Sequence, residues 1–139
     1  MQPSTPTRLV PVACPLLAVV SSGLKDITNI EADRKSIAEL AFRDVDILLL
    51  PTTTATTPAI QDAGANPQAL SAENTAFANY YGLPAVSVPC GFDSNGVPIG
   101  LQIVAKPWDE EAASILADRY QGATEWTRMQ PSLTVYRGS

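Results

Sequence analysis

Histidine is missing from all 139 residues of this chain. That absence removes Ser-His and Cys-His dyads, imidazole general bases and the usual zinc ligand sets together. Cysteine is scarce as well: Cys14 and Cys90 lie far apart, form no Cys-x-x-Cys and suggest no disulfide framework. A reduced, cytoplasmic protein is the simpler reading. Basic residues are few, 9 Lys and Arg against 14 Asp and Glu for a net charge of −5, and they form no run. Such a surface repels phosphates, so a nucleic-acid partner is not expected. No long hydrophobic run exists either. The apolar stretch 9–20 is broken by Pro11 and Pro15, and it falls short of the ~20 residues a membrane span needs, so no membrane partner is expected. Arg8 before it and Ser21-Ser22-Gly23 after it imitate a secretion signal, but the prolines and the lack of a small-x-small cleavage site argue against one.

What is present suits one soluble globular domain, with 45% apolar and 17% charged residues. Residues 1–29 read as an irregular lead holding four of the 12 prolines. From Ile30 the pattern turns helical, with Ile30, Ile37, Leu40 and Ala41 on one face and an end near Arg43. Residues 45–50 are continuously apolar apart from Asp46, which predicts a strand covered on both faces. Residues 52–70 read as one long loop. A short helix is expected over 71–81, with Ser71 as a candidate N-cap and Gly82 as its left-handed stop before Pro84. Residues 85–92 and 97–105 should form an antiparallel hairpin about Asp93-Ser94-Asn95-Gly96. Asp109 then caps a helix whose apolar face is Ala112, Ile115, Leu116 and Tyr120, and residues 134–139 should fray.

The ordered runs Asp46-Ile47-Leu48-Leu49-Leu50-Pro51-Thr52-Thr53, Asn74-Thr75-Ala76, Gly82-Leu83-Pro84-Ala85-Val86-Ser87-Val88-Pro89-Cys90-Gly91-Phe92 and Gly96-Val97-Pro98-Ile99-Gly100-Leu101-Gln102-Ile103-Val104, with Lys106-Pro107-Trp108-Asp109-Glu110 after them, resemble the C-terminal part of amidase signature hydrolases. The resemblance spans residues 30–133. It implies an α/β fold with a mixed sheet and flanking helices, continuing a larger sheet in the full enzyme. It implies carboxamide hydrolysis by a serine activated through a second serine and a lysine, chemistry that needs no cofactor, metal or histidine. A desolvated lysine can be neutral near pH 7 and serve as the base. Asn74, Thr75 and Phe77, in the segment before Gly-Leu-Pro, are the positions implied to contribute to the amide pocket. In some members an acidic residue in this neighbourhood holds a substrate amino group; here Ala72 stands there, with Glu73 adjacent, which implies another substrate.

No stretch of the chain is a Gly-Gly-Ser-Ser-Gly-Gly-like loop. The nearest imitation, Ser21-Ser22-Gly23-Leu24-Lys25, lacks the flanking glycines that let backbone amides approach an oxyanion. Lys35 and Lys106 read as solvated charges. Cys90 has no histidine to activate it, and Asp109, Glu110 and Glu111 are explained by a cap with first-turn acids. Asp46 is expected to bond local backbone amides. Asn74 and Asn79 have their own simpler reading, as groups that satisfy loop and helix-end backbone. Two functional readings therefore stand: the C-terminal portion of an amide hydrolase, inactive alone, and a non-catalytic truncated homologue that self-associates or binds a companion chain. A third, an independent esterase or amidase using Ser21 or Cys90, requires improvised partners.

Overall fold

A computed structural model describes residues 30–66 and 71–129. The expectations for residues 1–29, including Ser21 and its neighbours, and for 134–139 lie outside the described residues. The elements in chain order are α1 (Ile30–Ala41), β1 (Ile47–Pro51), α2 (Ile60–Ala65), α3 (Glu73–Tyr81), β2 (Ala85–Phe92), β3 (Pro98–Ala105) and α4 (Glu110–Ala123), followed by a 3₁₀ turn, Trp126–Arg128. The class is α/β, with helices flanking a three-stranded sheet in the order β1-β3-β2. Both strand pairs among the described residues are antiparallel.

The sheet has two faces because side chains alternate along β3. Leu101, Ile103 and Ala105 face one way and pack with Val86 and Val88 of β2 and Ala113, Leu116, Ala117 and Tyr120 of α4. Val104 faces the other way, among Leu48, Phe42, Phe77, Ala78, Tyr81 and Leu83, with Ile37 and Ala41 of α1 against them. Ile103, Val104 and Ala105 have no exposed surface. At roughly 1.5–3 kcal/mol for each large apolar side chain removed from water, these two layers dominate the stability.

Local chemistry explains the joints. Gly82 ends α3 at φ 66, and the N–H groups of Gly82 and Leu83 bond the carbonyls of Asn79 and Ala78 at 3.3 and 2.9 Å. This is a Schellman stop whose apolar contact, Leu83 on Ala78, lies in the core. Arg34 of α1 closes over the same corner, donating from Nε to Tyr80 O at 2.8 Å. Between β2 and β3, Gly96 N–H bonds Asp93 O at 3.0 Å, while Asp93 Oδ1 accepts from the N–H groups of Asn95 and Val97, both at 2.8 Å. Asp109 caps α4 by accepting from Ala112 N–H at 3.3 Å.

Several expectations are corrected. The segment 52–70 is not uniformly loop, since Ile60–Ala65 forms α2, a single exposed helix with no buried residue. β1 is only partly covered on its α4 side: Leu48 is buried on the other face and Ile47 packs against the α4-facing cluster, but Leu49 is 44% exposed. In α4 the buried centre is Ala113 and Ala117, and Ile115 is 45% exposed. Two small side chains one turn apart let the helix axis sit close to the sheet, which rotates Ile115 to the far side. Leu40, expected on the inner face of α1, is likewise exposed. Lys106 is not simply solvated: its Nζ pairs with Asp46 Oδ1 at 2.6 Å, and this rather than local amides is Asp46's partner. With side chains 40% and 88% exposed, the pair contributes at most about 1 kcal/mol. Trp108 occupies the third position of the Lys106–Asp109 turn at φ 68, where glycine is usual, in a turn closed by Asp109 N–H on Lys106 O at 3.1 Å.

The backbone N–H of Val97 foremost, then that of Asn95 and the Thr56 hydroxyl, hold the Asp93 carboxyl below the ordinary value of 3.8. A depressed folded-state value means that the contribution is complete above the unfolded value and is lost as pH falls through the folded one. Thermal melts between about pH 5 and pH 2 should therefore show a falling midpoint. Asp93→Asn should flatten that slope; an unchanged slope in the variant would mean that other carboxylates set it.

Candidate functional site

The runs that carry the family resemblance converge on one face of the sheet, at the end of β1. Thr52, the residue after β1, continues the ladder by donating its N–H to Gly100 O at 2.9 Å. Its hydroxyl reaches across β3 to the Ser87 hydroxyl of β2, 2.5 Å away, with either oxygen able to donate. That reach requires glycine in between. A Cβ on Gly100 would lie 2.6 Å from Thr52 Oγ1 and 2.9 Å from Ser87 Oγ, closer than real side-chain carbons approach. Gly100 is therefore kept free of a side chain by close approach rather than by backbone angle.

Beside this bridge, the first turn of α3 delivers Asn74, only 6% exposed. Its Nδ2 donates to Pro51 O at 2.9 Å, and its backbone carbonyl accepts from Gln102 Nε2 at 2.9 Å. Gln102 is itself 3% exposed. Each buried amide thus finds a backbone partner, and no buried side-chain nitrogen or oxygen among the described residues lacks one. The chain of bonds β3–α3–β1 fixes the N-terminal end of α3 on the sheet, while the apolar contacts of Phe77, Ala78 and Tyr81 fix the rest.

The residues expected at the pocket fall into different places. Asn74 is occupied with Pro51. Thr75 is half-buried and turns its hydroxyl back to Ala72 O at 3.2 Å. Phe77, 1% exposed, belongs to the core among Leu48, Tyr81 and Val104. They share α3 but not a common surface. Thr52, Ser87 and Gly100 were not singled out from the sequence, although each stands inside a run that was. The available signal was positional: a hydroxyl, a hydroxyl and a glycine on the α3 side of three adjacent strands.

The hydroxyl pair can donate and accept at once, a capacity suited to an amide group, and among the described residues no base or cation is bonded to it. Activation needs a base or a nearby cation, and Lys106 is engaged with Asp46 across the sheet's other end. Cys90 is a free, half-buried thiol at the bulge between Pro89 and Gly91. No group of three or more Cys, Asp or Glu among the described residues could hold a metal ion. No described helix is long and apolar enough to cross a membrane.

With this geometry in view, comparison with known proteins is specific. The Amidase family model matches residues 21–113. The glutamyl-tRNA(Gln) amidotransferase A subunit from Microcystis aeruginosa is 37% identical over 122 residues, covering 83% of this chain and 25% of that protein. Its counterpart from Thermosynechococcus vestitus is 42% identical over 95 residues, covering 67% and 20%. Among solved structures, 6-aminohexanoate cyclic dimer hydrolase superposes with a TM-score of 0.64 at 30% identity, over 75% of this chain and 24% of that one. The chain belongs to the amidase signature family. It spans about a quarter of the length of these relatives.

The close approach at Gly100 yields a direct check. Gly100→Ala should force Thr52 and Ser87 apart and destabilise the fold by about 1–3 kcal/mol, the usual range for overpacking. Urea titration measures it, and a variant as stable as the parent would show that the hydroxyl bridge yields without cost.

Proposed function

We propose that this chain is the C-terminal portion of an amidase-signature hydrolase and is inactive by itself. In the complete enzyme a Ser-Ser-Lys set outside this sequence would cleave a small-molecule carboxamide, and the present residues would supply scaffold and pocket wall. The observation that carries this reading is the pairing of strong family kinship with a span of about a quarter of the relatives' length. The site's chemistry agrees: two neutral hydroxyls to which no lysine is bonded among the described residues, in a chain without histidine. Within this reading Asn74 and Phe77 act by fixing α3 against the sheet, and half-buried Thr75 is the one of the three able to touch a substrate. The cell compartment is proposed to be the cytoplasm.

A companion chain is the partner this reading calls for, one bearing the nucleophile and lysine segments. Relatives that are themselves named as one subunit of an amidotransferase support that arrangement. A second reading, a non-catalytic homologue that self-associates, is favoured by the sheet edges at β1 and β2, with which no other described strand pairs, and by exposed apolar side chains such as Leu49 and Trp108.

The test is turnover of aryl amides and aryl esters by the pure chain. No hydrolysis above buffer is the expected result. Hydrolysis that Ser21→Ala or Cys90→Ala abolishes would overturn the reading and establish an independent enzyme.

A further inference from the structure

The outer side of β2 offers a short, bracketed set of backbone hydrogen-bonding groups. β3 alternates between its neighbours: Gly100 O accepts from Thr52 N–H on the β1 side, whereas Ala105 N–H bonds Pro84 O on the β2 side. Carried along the register in which Val86 faces Ile103 and Val88 faces Leu101, this alternation turns the backbone groups of Val86 and Val88 toward β3. The N–H and C=O of Ala85 and Ser87 then point outward, and Pro89 presents only a carbonyl there. No described strand pairs with that side. The adjoining sheet face is bare too, for Ala85 and Ser87 are both exposed.

We propose that this edge is an interface for a second copy of the chain, formed by antiparallel pairing of β2 with β2 about a two-fold axis at Val86. In that register Ala85 of one copy lies opposite Ser87 of the other, and both positions exchange their outward N–H and C=O groups across the axis. The inference deepens the self-association reading and rests on it. The edge is complementary to itself, as a closed two-fold contact requires. β2 carries no charged residue, so like charges do not face each other even though the chain is acidic overall. Across the seam Ala85 meets Ser87 on one face and Val86 meets its symmetry copy on the other, pairs of small or β-branched side chains that adjacent strands accommodate. Leu83, whose N–H is held by Ala78 O, and Pro89, which has no N–H, bracket the outward pairing window, which keeps the contact short.

Sedimentation equilibrium from about 5 to 200 µM, a range bracketing weak protein affinities, tests the proposal on the wild-type chain, Ser87→Pro and Ser87→Ala. The wild type should show a reversible monomer–dimer equilibrium. Ser87→Pro deletes the outward donor while sparing the bonds to β3, and should weaken the dimer at least tenfold. Ser87→Ala loses the same contact with Thr52 but keeps the donor, so it should dimerise like the wild type. Amide exchange on the wild type is independent of whether the proline variant folds: the Ala85 and Ser87 amides should gain protection as concentration rises. A monomer throughout would overturn self-association itself and leave the edge to a strand of another polypeptide. A dimer that survives in folded Ser87→Pro, or exchange at Ala85 and Ser87 independent of concentration, would overturn the β2 interface alone.

Discussion

Strand β3 is the constraint on which the other elements depend. It is the only described strand with neighbours on both sides, and its last three residues are wholly removed from solvent. Ile103 and Ala105 need α4 above them; Val104 needs α1 and α3 below. Polar groups reinforce this position rather than compete with it. Gln102, buried between the apolar residues, bonds the carbonyl of Asn74, and Asn74 bonds Pro51 at the end of β1. A buried amide left without such a partner would cost about 1–3 kcal/mol, so the seam fixes where α3 can sit.

Local punctuation was legible from residues alone. Gly82 followed by Pro84 stops a helix in any context, Asp93 to Gly96 turns a hairpin, and Asp109 caps the last long helix; the structure has all three. The bounds of β2 coincide with those expected from residues 85–92. What sequence could not supply was the side of an element that meets its neighbour. The stripe through Ile115 and the buried pair Ala113 and Ala117 are both helical in period, and only the distance between α4 and the sheet decides between them. The apolar run at β1 resembled a central strand, but centrality is a property of neighbours, and Leu49 is left uncovered at an edge. The Thr52–Ser87 bridge joins residues 35 apart in sequence and depends on a glycine in a third segment, so no local pattern announces it.

The run Gly82-Leu83-Pro84-Ala85-Val86-Ser87-Val88-Pro89-Cys90-Gly91-Phe92 is thus a scaffold signature. Each of its features has a mechanical reason: a left-handed helix stop, two valines packed under α4, a serine bridged over Gly100, a bulge at Cys90. Family membership is compatible with a described segment whose features are mechanical, because an α/β enzyme can take its sheet and its nucleophile from distant parts of the sequence. Among the described residues, no strand pairs with the outer edge of β2.

That one cooperative core is built around β3 is tested most directly by native-state amide hydrogen exchange. The amides of Ile103, Val104 and Ala105 should be the slowest in the chain and exchange only by global unfolding, with those of α2 exchanging faster by orders of magnitude. If the β3 amides exchanged as readily as those of α2, or opened well below the global unfolding free energy, a single core centred on β3 would be ruled out.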